Sequence, residues 1–307
     1  MIKKILIVIL CLCPLVFAGC KAKDIKQDNA TIRIGLMPDM VSIPYIIGEN
    51  EKTFEKYGVN IQISVFKSAG DRDAALQAGA LDAVSADILA AYFYKEGGLD
   101  LKITSATDIL CMIVANPIVN VKSVDDLNQK TIGISYNTIM EYFVDAAIND
   151  VNDQKVSVPA IPVRIEMLKA GEIDAAALPE PLGTSAIIDG ANKVITSSDI
   201  GVNLGVLLFK QDFINDNKSL IENFYLALDE VNENIDNEKF LEYEDELIEK
   251  LLFPKNVFGV MDIKNLNKTS LPEQEDLISA QIWLKEKGLI EKTFEYDDMV
   301  YHIDKSY

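Results

Sequence analysis

Short apolar runs alternate with amphipathic stretches through the first third of the chain. The apolar and period-two segments predict strands, and the stretches between them have helical spacing with Pro, Ser or Asp near their starts. The predicted order is strand 32–37, helix 44–57, strand 59–66, helix 68–79, strand 83–85, helix 87–95 and strand 101–105. Strand–helix alternation with tight turns is typical of a largely parallel sheet.

The same alternation returns after a continuous apolar strand at 109–115, which we interpret as the first crossing between two lobes. Predicted strands follow at 131–135, 156–161, 173–178 and 193–196, with helices at 123–127, 137–151, 162–170 and 180–189. A second apolar segment at 205–210 is interpreted as the return crossing. The remainder is predicted to be helical, at 220–234, 238–252 and 272–287.

One eight-residue pattern, L-x-A-G-x-[LI]-D-A, occurs at 76–83 and again 92 positions later at 168–175. Each copy predicts the end of a helix, a glycine that stops it and a short strand, because glycine reaches φ > 0 without a Cβ clash. Such a junction is common in α/β proteins, so a single copy would indicate little. The matched pair predicts two similar α/β lobes, and two facing lobes enclose a cleft suited to a small molecule.

The N-terminus has the pattern of a secretion signal. Lys3 and Lys4 precede an apolar run at 5–16, which is too short to span a bilayer, and Phe-Ala-Gly-Cys follows at 17–20. Cysteine after Ala-Gly resembles the bacterial lipobox, in which that cysteine is lipidated. We therefore predict a lipoprotein signal at 1–19, lipidation at Cys20 and a polar tether at 20–30. The alternative is ordinary secretion with a chance cysteine.

The charge balance limits the partners. A formal net charge of −19 disfavours nucleic acid and anionic lipid surfaces and suits a soluble domain held outside the cell. Once the signal is removed and Cys20 is lipidated, Cys111 has no partner for a disulfide. Its apolar surroundings predict a small buried hydrophobic residue rather than a reactive thiol.

Several short sequence motifs occur in a characteristic order along the chain. They are Gly-Val at 58–59, Ala-Gly-x-x-Asp at 78–82 and 170–174, S-V-D-D-L at 123–127, T-I-G-I-S at 131–135 and Glu-Pro at 180–181. This order resembles the substrate-binding lipoproteins of ABC importers in the sulfonate, nitrate and thiamine-precursor group. The resemblance implies the type II periplasmic-binding-protein fold, with lobe I at 31–115 and 205–307 and lobe II at 116–204. It also implies a monomer, lipid-anchored on the extracytoplasmic face, that closes on a solute and docks on a membrane permease without a cofactor.

In parallel α/β sheets, ligands bind beyond the carboxyl ends of the strands, where helix N-termini present free N–H groups. Five strand-to-helix turns meet this condition, and the end of the first crossing strand adds one more position. The predicted ligand-binding residues are Pro38, Asp39, Tyr45, Ser68, Gly70, Asp87, Asn116, Ser135, Tyr136, Asn137, Thr138 and Glu180. For each turn alone, ordinary helix capping is the competing explanation.

The candidate residues indicate the charge of the ligand. Asp39, Asp87 and Glu180 would bring carboxylates to the cleft, whereas the chain contains only three arginines. A neutral or cationic aromatic solute therefore fits better than an anion. An aminopyrimidine is one candidate, with Tyr45 or Tyr136 stacking on its ring; a sulfonate or nitrate ligand is the alternative.

An enzyme is the main rival class. One branch of the resembled group makes the thiamine pyrimidine by consuming its own histidine, but here the only histidine is His302, far from every predicted turn. A single histidine also disfavours a His-bearing zinc cluster or a Ser-His-Asp triad. A membrane receptor would need a further apolar span, and no run of 18 apolar residues follows residue 19. We predict a non-enzymatic protein without a metal.

Overall fold

Two five-stranded sheets form the framework of the protein. The computed structural model describes residues 30–107, 109–148, 154–263 and 268–303. In chain order the strands are β1 (Thr31–Leu36), β2 (Asn60–Val65), β3 (Ala83–Asp87), β4 (Leu101–Thr107), β5 (Cys111–Ala115), β6 (Ile132–Ile134), β7 (Lys155–Ser157), β8 (Ala175–Pro179), β9 (Asn192–Thr196) and β10 (Gly205–Lys210). Their spatial order is β2-β1-β3-β10-β4 in the first sheet and β7-β6-β8-β5-β9 in the second.

The two sheets have the same plan. In the first, β1 pairs in parallel with β2 and β3, and β10 runs antiparallel between β3 and β4. In the second, β6 pairs in parallel with β7 and β8, and β5 runs antiparallel between β8 and β9. Each sheet therefore takes its antiparallel strand from a segment that has just crossed from the other sheet, and the predicted pair of α/β lobes is confirmed.

The position of the first crossing differs from the prediction. β5 pairs with β8 and β9 of the second sheet, although the predicted boundary at 115/116 placed it with lobe I. The crossing lies between Thr107 and Cys111, where the apolar run at 109–115 begins. Apolar content predicts a buried strand, but it does not tell which sheet that strand joins.

Helices cover both faces of each sheet. They are α1 (Ile43–Asn50), α2 (Thr53–Lys56), α3 (Ala69–Gln77), α4 (Ile88–Glu96), α5 (Ile139–Ala147), α6 (Ile161–Ala170), α7 (Leu182–Ile188), α8 (Gln211–Asp216), α9 (Lys218–Asn234), α10 (Asn237–Glu242), α11 (Glu244–Leu251), α12 (Gln274–Glu286) and α13 (Tyr296–Met299). Short 3₁₀ turns occur at Met40–Ser42, Val124–Leu127, Ser198–Ile200 and Lys255–Val257.

Two predicted long helices are each divided in two. The helix predicted at 44–57 breaks where Lys52 adopts a left-handed φ of 58°, and that at 238–252 breaks at Tyr243, between α10 and α11. The apolar spacing continues across the first break because Tyr45 before it and Phe54 after it enter one core cluster. The apolar spacing therefore continues across a bend that the single predicted helix did not include.

The sequence repeat corresponds to a structural repeat. Gly79 and Gly171 follow equivalent helices, α3 and α6, with φ of 75° and 74°. The aspartate of each copy then accepts a backbone N–H from the start of its lobe's first strand. Asp82 binds the N–H of Arg33 at 3.0 Å, and Asp174 binds that of Thr131 at 2.8 Å. In this way each copy of the repeat places one parallel strand beside another, β3 beside β1 in the first sheet and β8 beside β6 in the second.

The largest apolar cluster runs through both lobes on one face of the molecule. It joins α4 and α12, beside the first sheet, to α5, beside the second. On the opposite face the clusters are separate: α1, α2, α9 and α11 pack beside the first sheet, and α6 and α7 beside the second.

The predicted signal at 1–19, Cys20 and the tether up to residue 29 lie outside the described residues. Within the described ranges, no helix has the length and apolarity needed to cross a membrane.

Candidate functional site

The carboxyl ends of the parallel strands face each other across the crossing segments. β4, which runs in the same direction as β3, ends at Thr107 and leads directly into the first crossing. In the second sheet, Cys111 at the start of β5 pairs with Pro179 at the end of β8. The ends of β1 and β3 and the ends of β6 and β8 therefore lie at the two edges that the crossings connect.

Two carboxylates of the first lobe lie at this edge. Asp39, half-buried after β1, accepts the Ser42 hydroxyl at 3.3 Å. Burial raises the pKa of Asp39 to about 6. Asp87 ends β3 and caps α4 by accepting the N–H of Ala90 at 2.9 Å, and burial raises its pKa as well.

The second lobe contributes a matching carboxylate. Glu180, buried after β8, accepts the N–H of Thr184 at 2.9 Å and its hydroxyl at 2.7 Å. Burial also raises the pKa of Glu180. The nearby turn after β6 holds Ser135, whose hydroxyl accepts from Arg164 at 2.6 Å, and Thr138, which caps α5.

All three carboxylates lie near Cys111, the first residue of β5. The thiol of Cys111 is fully buried at the start of β5, and its pKa is raised by that burial and then by the charges of Asp87, Asp39 and Glu180. Residues predicted from separate turns of both lobes are thus brought together. Cys111 itself is the buried hydrophobic residue that the sequence predicts.

A cavity of about 590 Å³ lies beside the start of β5, between the two lobes. Its walls come from both crossings, from the start of α1, from α9 and from described residues that follow the Lys255–Val257 turn. The first crossing contributes Ser105 and Thr107, and the second contributes Ser197 and Asn203. Within the described part of the chain, its charged lining residues are Asp262 and Lys268, one of each sign.

Most of this lining is absent from the residues predicted to bind the ligand. Of the predicted ligand-binding residues, Tyr45 alone lines the cavity, as a buried ring stacked 6.3 Å from Phe224. The hydroxyl pairs Ser105/Thr107 and Ser197/Ser198 were available signals, since each adjoins an apolar strand that leads into a crossing.

Three of the cleft-facing turns have an N–H group occupied by one of the chain's own carboxylates. Asp87 and Glu180 do this after β3 and β8, and Glu141 accepts the N–H of Asn137 at 2.7 Å after β6. Asn137 holds a left-handed φ of 58° there. These contacts are the helix capping that was the competing explanation for the turns.

The turn after β2 is capped by a hydroxyl. Ser68 accepts the N–H of Asp71 at 3.1 Å, and both Ser68 and Gly70 are exposed at the outer end of the first sheet. Pro38 lies half-buried beside Asp39.

Two predicted ligand-binding residues point elsewhere. Asn116 follows β5, whose last residue pairs with Ala175 at the start of β8, so it lies at the opposite end of the sheet from Glu180. There its side chain donates to the carbonyl of Leu168 at the end of α6, which contradicts its predicted role. The antiparallel direction of β5 is the reason.

The hydroxyl of Tyr136 donates to the carbonyl of Lys155 at 3.0 Å, at the start of β7. Its ring, 42% exposed, therefore lies along the outer edge of the second sheet, away from the facing edges. The predicted stacking role of Tyr136 is contradicted by this orientation, which a local sequence pattern does not encode.

The imidazole of His302 is also remote from the cleft. It is 66% exposed and lies 3.9 Å from Asp297, beside α13. Among the described residues, no group of three or more His, Cys, Asp and Glu side chains is arranged to hold a metal ion.

The family model described as the NMT1-like family matches residues 26–244. The chain belongs to the NMT1-like family. A protein of Brachyspira hyodysenteriae, whose name describes it as an ABC transporter periplasmic binding protein, is 33% identical over 212 residues. That match covers 62% of this chain, and the chain spans 61% of the relative's length.

Solved structures of similar fold include two sulfonate-binding proteins. The periplasmic aliphatic sulphonate binding protein SsuA from Escherichia coli has a TM-score of 0.74 at 15% identity, covering 90% of this chain and 94% of its own. The alkanesulfonate-binding protein SsuA from Xanthomonas axonopodis pv. citri, bound to MOPS, has a TM-score of 0.71 at 16% identity, covering 89% and 98%. At such identities the likeness extends to the fold, and it confirms the predicted type II periplasmic-binding-protein fold for this NMT1-like chain.

Proposed function

We propose that this NMT1-like protein is the extracytoplasmic solute-binding component of an ABC importer. It would capture a small organic molecule between its lobes, close on it and present it to a membrane permease, as a monomer without a cofactor. The observation that carries this proposal is the cavity of about 590 Å³ between two facing sets of strand ends, lined by both crossings. The name of the Brachyspira relative points the same way.

The charges around the site favour a neutral or cationic ligand. Three of the turns that could bind an anion through helix N–H groups are already occupied by Asp87, Glu141 and Glu180, and the carboxylate of Asp39 lies at a fourth. An anionic solute would have to displace these carboxylates and then lie beside them, at a substantial electrostatic cost.

The three arginine side chains make their hydrogen bonds and ion pairs outside the cavity. Arg33 pairs with Asp82, Arg72 donates to the Ser85 carbonyl and to Asp73, and Arg164 donates to Ser135 and to backbone carbonyls. None of them lines the cavity described above. We therefore favour a pyrimidine or thiamine-precursor-like solute over a sulfonate or nitrate, with Tyr45 forming one apolar wall and Asp262, the acidic residue of the described lining, accepting from an amino group.

A role as a pyrimidine-synthesising enzyme is disfavoured by the position of His302. Its imidazole is exposed beside α13, whereas a histidine consumed by such a reaction would have to reach the cavity between the lobes. We propose that the protein has no catalytic function.

Binding measurements test the ligand class directly. Isothermal titration calorimetry with an aminopyrimidine, an alkanesulfonate and nitrate should give heat with the first and none with the others. Mass spectrometry of molecules released from the denatured protein would identify the natural solute. Tight sulfonate binding with no response to pyrimidines would contradict the proposed ligand.

A paired substitution tests the carboxylate. Asp262→Asn keeps an acceptor for the Asn237 amide but removes the negative charge from the cavity lining, and we expect it to weaken binding of an aminopyrimidine about tenfold. Glu166→Gln, on the exposed surface of α6, is the matched control and should bind like the wild type.

The lipid anchor at Cys20 is part of the same proposal, and the signal-like pattern at 1–20 supports it. Cys20→Ala should yield protein in the soluble fraction, whereas the parent chain should partition into Triton X-114. A Cys20→Ala protein that remains firmly bound to membranes would count against the anchor.

A further inference from the structure

The hydroxyl of Tyr45 lies at the cavity wall without a partner in the described protein. Tyr45 is in the first turn of α1, is only 2% exposed and lines the cavity. Its phenol oxygen forms no hydrogen bond with any residue that the structure describes. Burial raises the pKa of Tyr45 well above its ordinary value, and Tyr225 and Asp39 raise it further. The hydroxyl therefore keeps its proton and can donate a hydrogen bond.

The three other tyrosines that are at most 4% exposed find partners inside the protein. Tyr92 donates to the carbonyl of Leu277 at 2.8 Å, and the hydroxyls of Tyr94 and Tyr225 donate to neighbouring side chains. A buried hydroxyl without a partner costs free energy. The exception of Tyr45, at the wall of a cavity, therefore indicates that its partner is a molecule bound in the cavity.

Asn203, in the second crossing just before β10, offers a second donor. Its side-chain oxygen accepts the backbone N–H of Gly205 at 3.2 Å. Because a backbone N–H can only donate, this contact fixes the orientation of the amide and leaves its NH₂ group to bind elsewhere. Asn203 lines the cavity, and its NH₂ group meets no acceptor among the described residues.

Donors in the wall require acceptors on the solute. The hydroxyl of Tyr45 and the amide of Asn203 are both neutral, so they would leave the charge of an anion uncompensated, and they suit an uncharged acceptor such as a ring nitrogen. An aminopyrimidine carries ring nitrogens beside its amino group. In the proposed function that amino group donates to Asp262, which lines the same cavity.

We propose that the hydroxyl of Tyr45 and the side-chain amide of Asn203 donate hydrogen bonds to ring nitrogens of the solute and thereby select a nitrogen heterocycle over a carbocyclic ring of the same shape. This inference rests on the proposed function, because it names the groups that recognise the solute in that cavity. The ring of Tyr45 remains an apolar wall, and its hydroxyl adds specificity.

A pair of tyrosine variants tests the hydroxyl. In isothermal titration calorimetry, the wild type should bind an aminopyrimidine at least tenfold more tightly than the corresponding aniline, in which CH groups replace the ring nitrogens. Tyr45→Phe should bind the aminopyrimidine about tenfold more weakly and the aniline within twofold of the wild type. Tyr92→Phe, at an equally buried tyrosine outside the cavity, is the matched control and should leave both affinities within twofold.

Thermal unfolding without solute separates binding from stability. Tyr92→Phe removes the hydrogen bond to Leu277 and should lower the Tm by about 2–4 °C, whereas Tyr45→Phe should change it by at most about 1 °C. A hydroxyl that mattered only for folding would show the opposite order.

An isosteric change tests the amide. Asn203→Asp keeps an oxygen for the Gly205 N–H but removes the NH₂ donor, so it should bind the aminopyrimidine at least tenfold more weakly. Asn215→Asp, at an exposed asparagine of α8, is the matched control and should bind like the wild type.

The outcomes separate this inference from the proposed function. A wild type that binds the aminopyrimidine, with Tyr45→Phe and Asn203→Asp both within twofold of it, would overturn the inference and leave the proposed function standing. An equal loss of affinity in Tyr92→Phe would also overturn it, because the effect would then be structural. A wild type that binds none of the tested solutes would contradict the proposed function, and this inference with it.

Discussion

Arg72 and Arg164 make the same contact, 92 residues apart, in the two lobes. Arg72 donates to the carbonyl of Ser85 in β3 at 2.8 Å, and Arg164 donates to that of Ala177 in β8 at 2.6 Å. Their surroundings differ, because Asp73 lies 2.9 Å from Arg72, whereas the hydrogen-bond partners of Arg164 are carbonyls and Ser135. Burial lowers the pKa of Arg164 to about 10.

Substituting either arginine should destabilise its lobe. Arg164→Met removes the hydrogen bonds to the carbonyls of Val158 and Ala177. Arg72→Met removes the ion pair with Asp73, which keeps only the Tyr94 hydroxyl, and the hydrogen bond to the Ser85 carbonyl. Each substitution should lower the free energy of unfolding by about 2–4 kcal/mol. Urea denaturation measures the change. Lys169→Met, at a surface ion pair, should cost at most about 1 kcal/mol. A loss below about 1 kcal/mol for either arginine would contradict this assignment.

The glycines of the repeat should respond alike to alanine. Gly79→Ala and Gly171→Ala each force a Cβ into a left-handed backbone with φ near 75°, and each should cost about 1–2 kcal/mol by thermal unfolding. The space is open at both sites, since a Cβ added at Gly79 would meet nothing within 4 Å and one added at Gly171 would meet only the Asn116 amide, at 3.7 Å. Gly70→Ala, inside the first turn of α3, should be neutral or slightly stabilising; an equal loss at all three positions would refute the backbone explanation.

The buried carboxyl of Asp39 should make stability depend on pH. Its folded pKa, about 6, exceeds its ordinary value of 3.8, so the folded chain holds the proton more tightly. The stabilising contribution is complete below pH 4 and is lost as the pH rises through 6. Asp39→Asn should therefore gain about 1–2 kcal/mol at pH 7, allowing for partial exposure, and nothing near pH 4.

Thermal unfolding from pH 4 to pH 8 measures this dependence. Asp100→Asn, at a largely exposed carboxylate, is the matched control and should follow the wild-type profile. A wild-type stability that rises between pH 4 and pH 6, with no difference in Asp39→Asn, would contradict the sign.

The corrected position of Asn116 gives a prediction that separates stability from binding. Asn116→Ala removes the donor to Leu168 and the acceptor of the Ile118 N–H, so it should cost about 1–3 kcal/mol of stability. The affinity for whichever solute the wild type binds should stay within twofold in calorimetry. A large loss of affinity in a folded Asn116→Ala variant would contradict this prediction and would indicate that Asn116 contributes to ligand binding.

Short-range signals in the sequence identified most of the local structure. Ser68, Asp87 and Thr138 cap α3, α4 and α5 as predicted, because a cap depends on a side chain and the N–H two or three residues later. The repeat was equally visible, because a glycine at φ > 0 and the aspartate three residues after it act within one helix–strand junction.

The convergence of the carboxylates was predictable only in outline. Parallel strands place their carboxyl ends on one edge, so Asp39 after β1 and Asp87 after β3 could be expected to lie together. Glu180 could be expected at the matching edge of the second sheet, because it follows β8, the equivalent of β3. The polar wall formed by Ser105, Thr107 and Ser197 was not predicted, because it arises where two crossings run side by side.

By itself, the sequence determined the alternation of strands and helices, the two equivalent lobes and the acidic turns between them. The tertiary structure alone decided that β5 joins the second sheet, that Asn116 and Tyr136 point away from the cleft, and that α12 ties the lobes together on one face. The physical reason is the sequence separation over which each interaction acts. Capping, backbone conformation and apolar spacing act over a few residues, whereas strand direction and the partner of an apolar face depend on segments tens of positions away, and in the case of α12 more than a hundred.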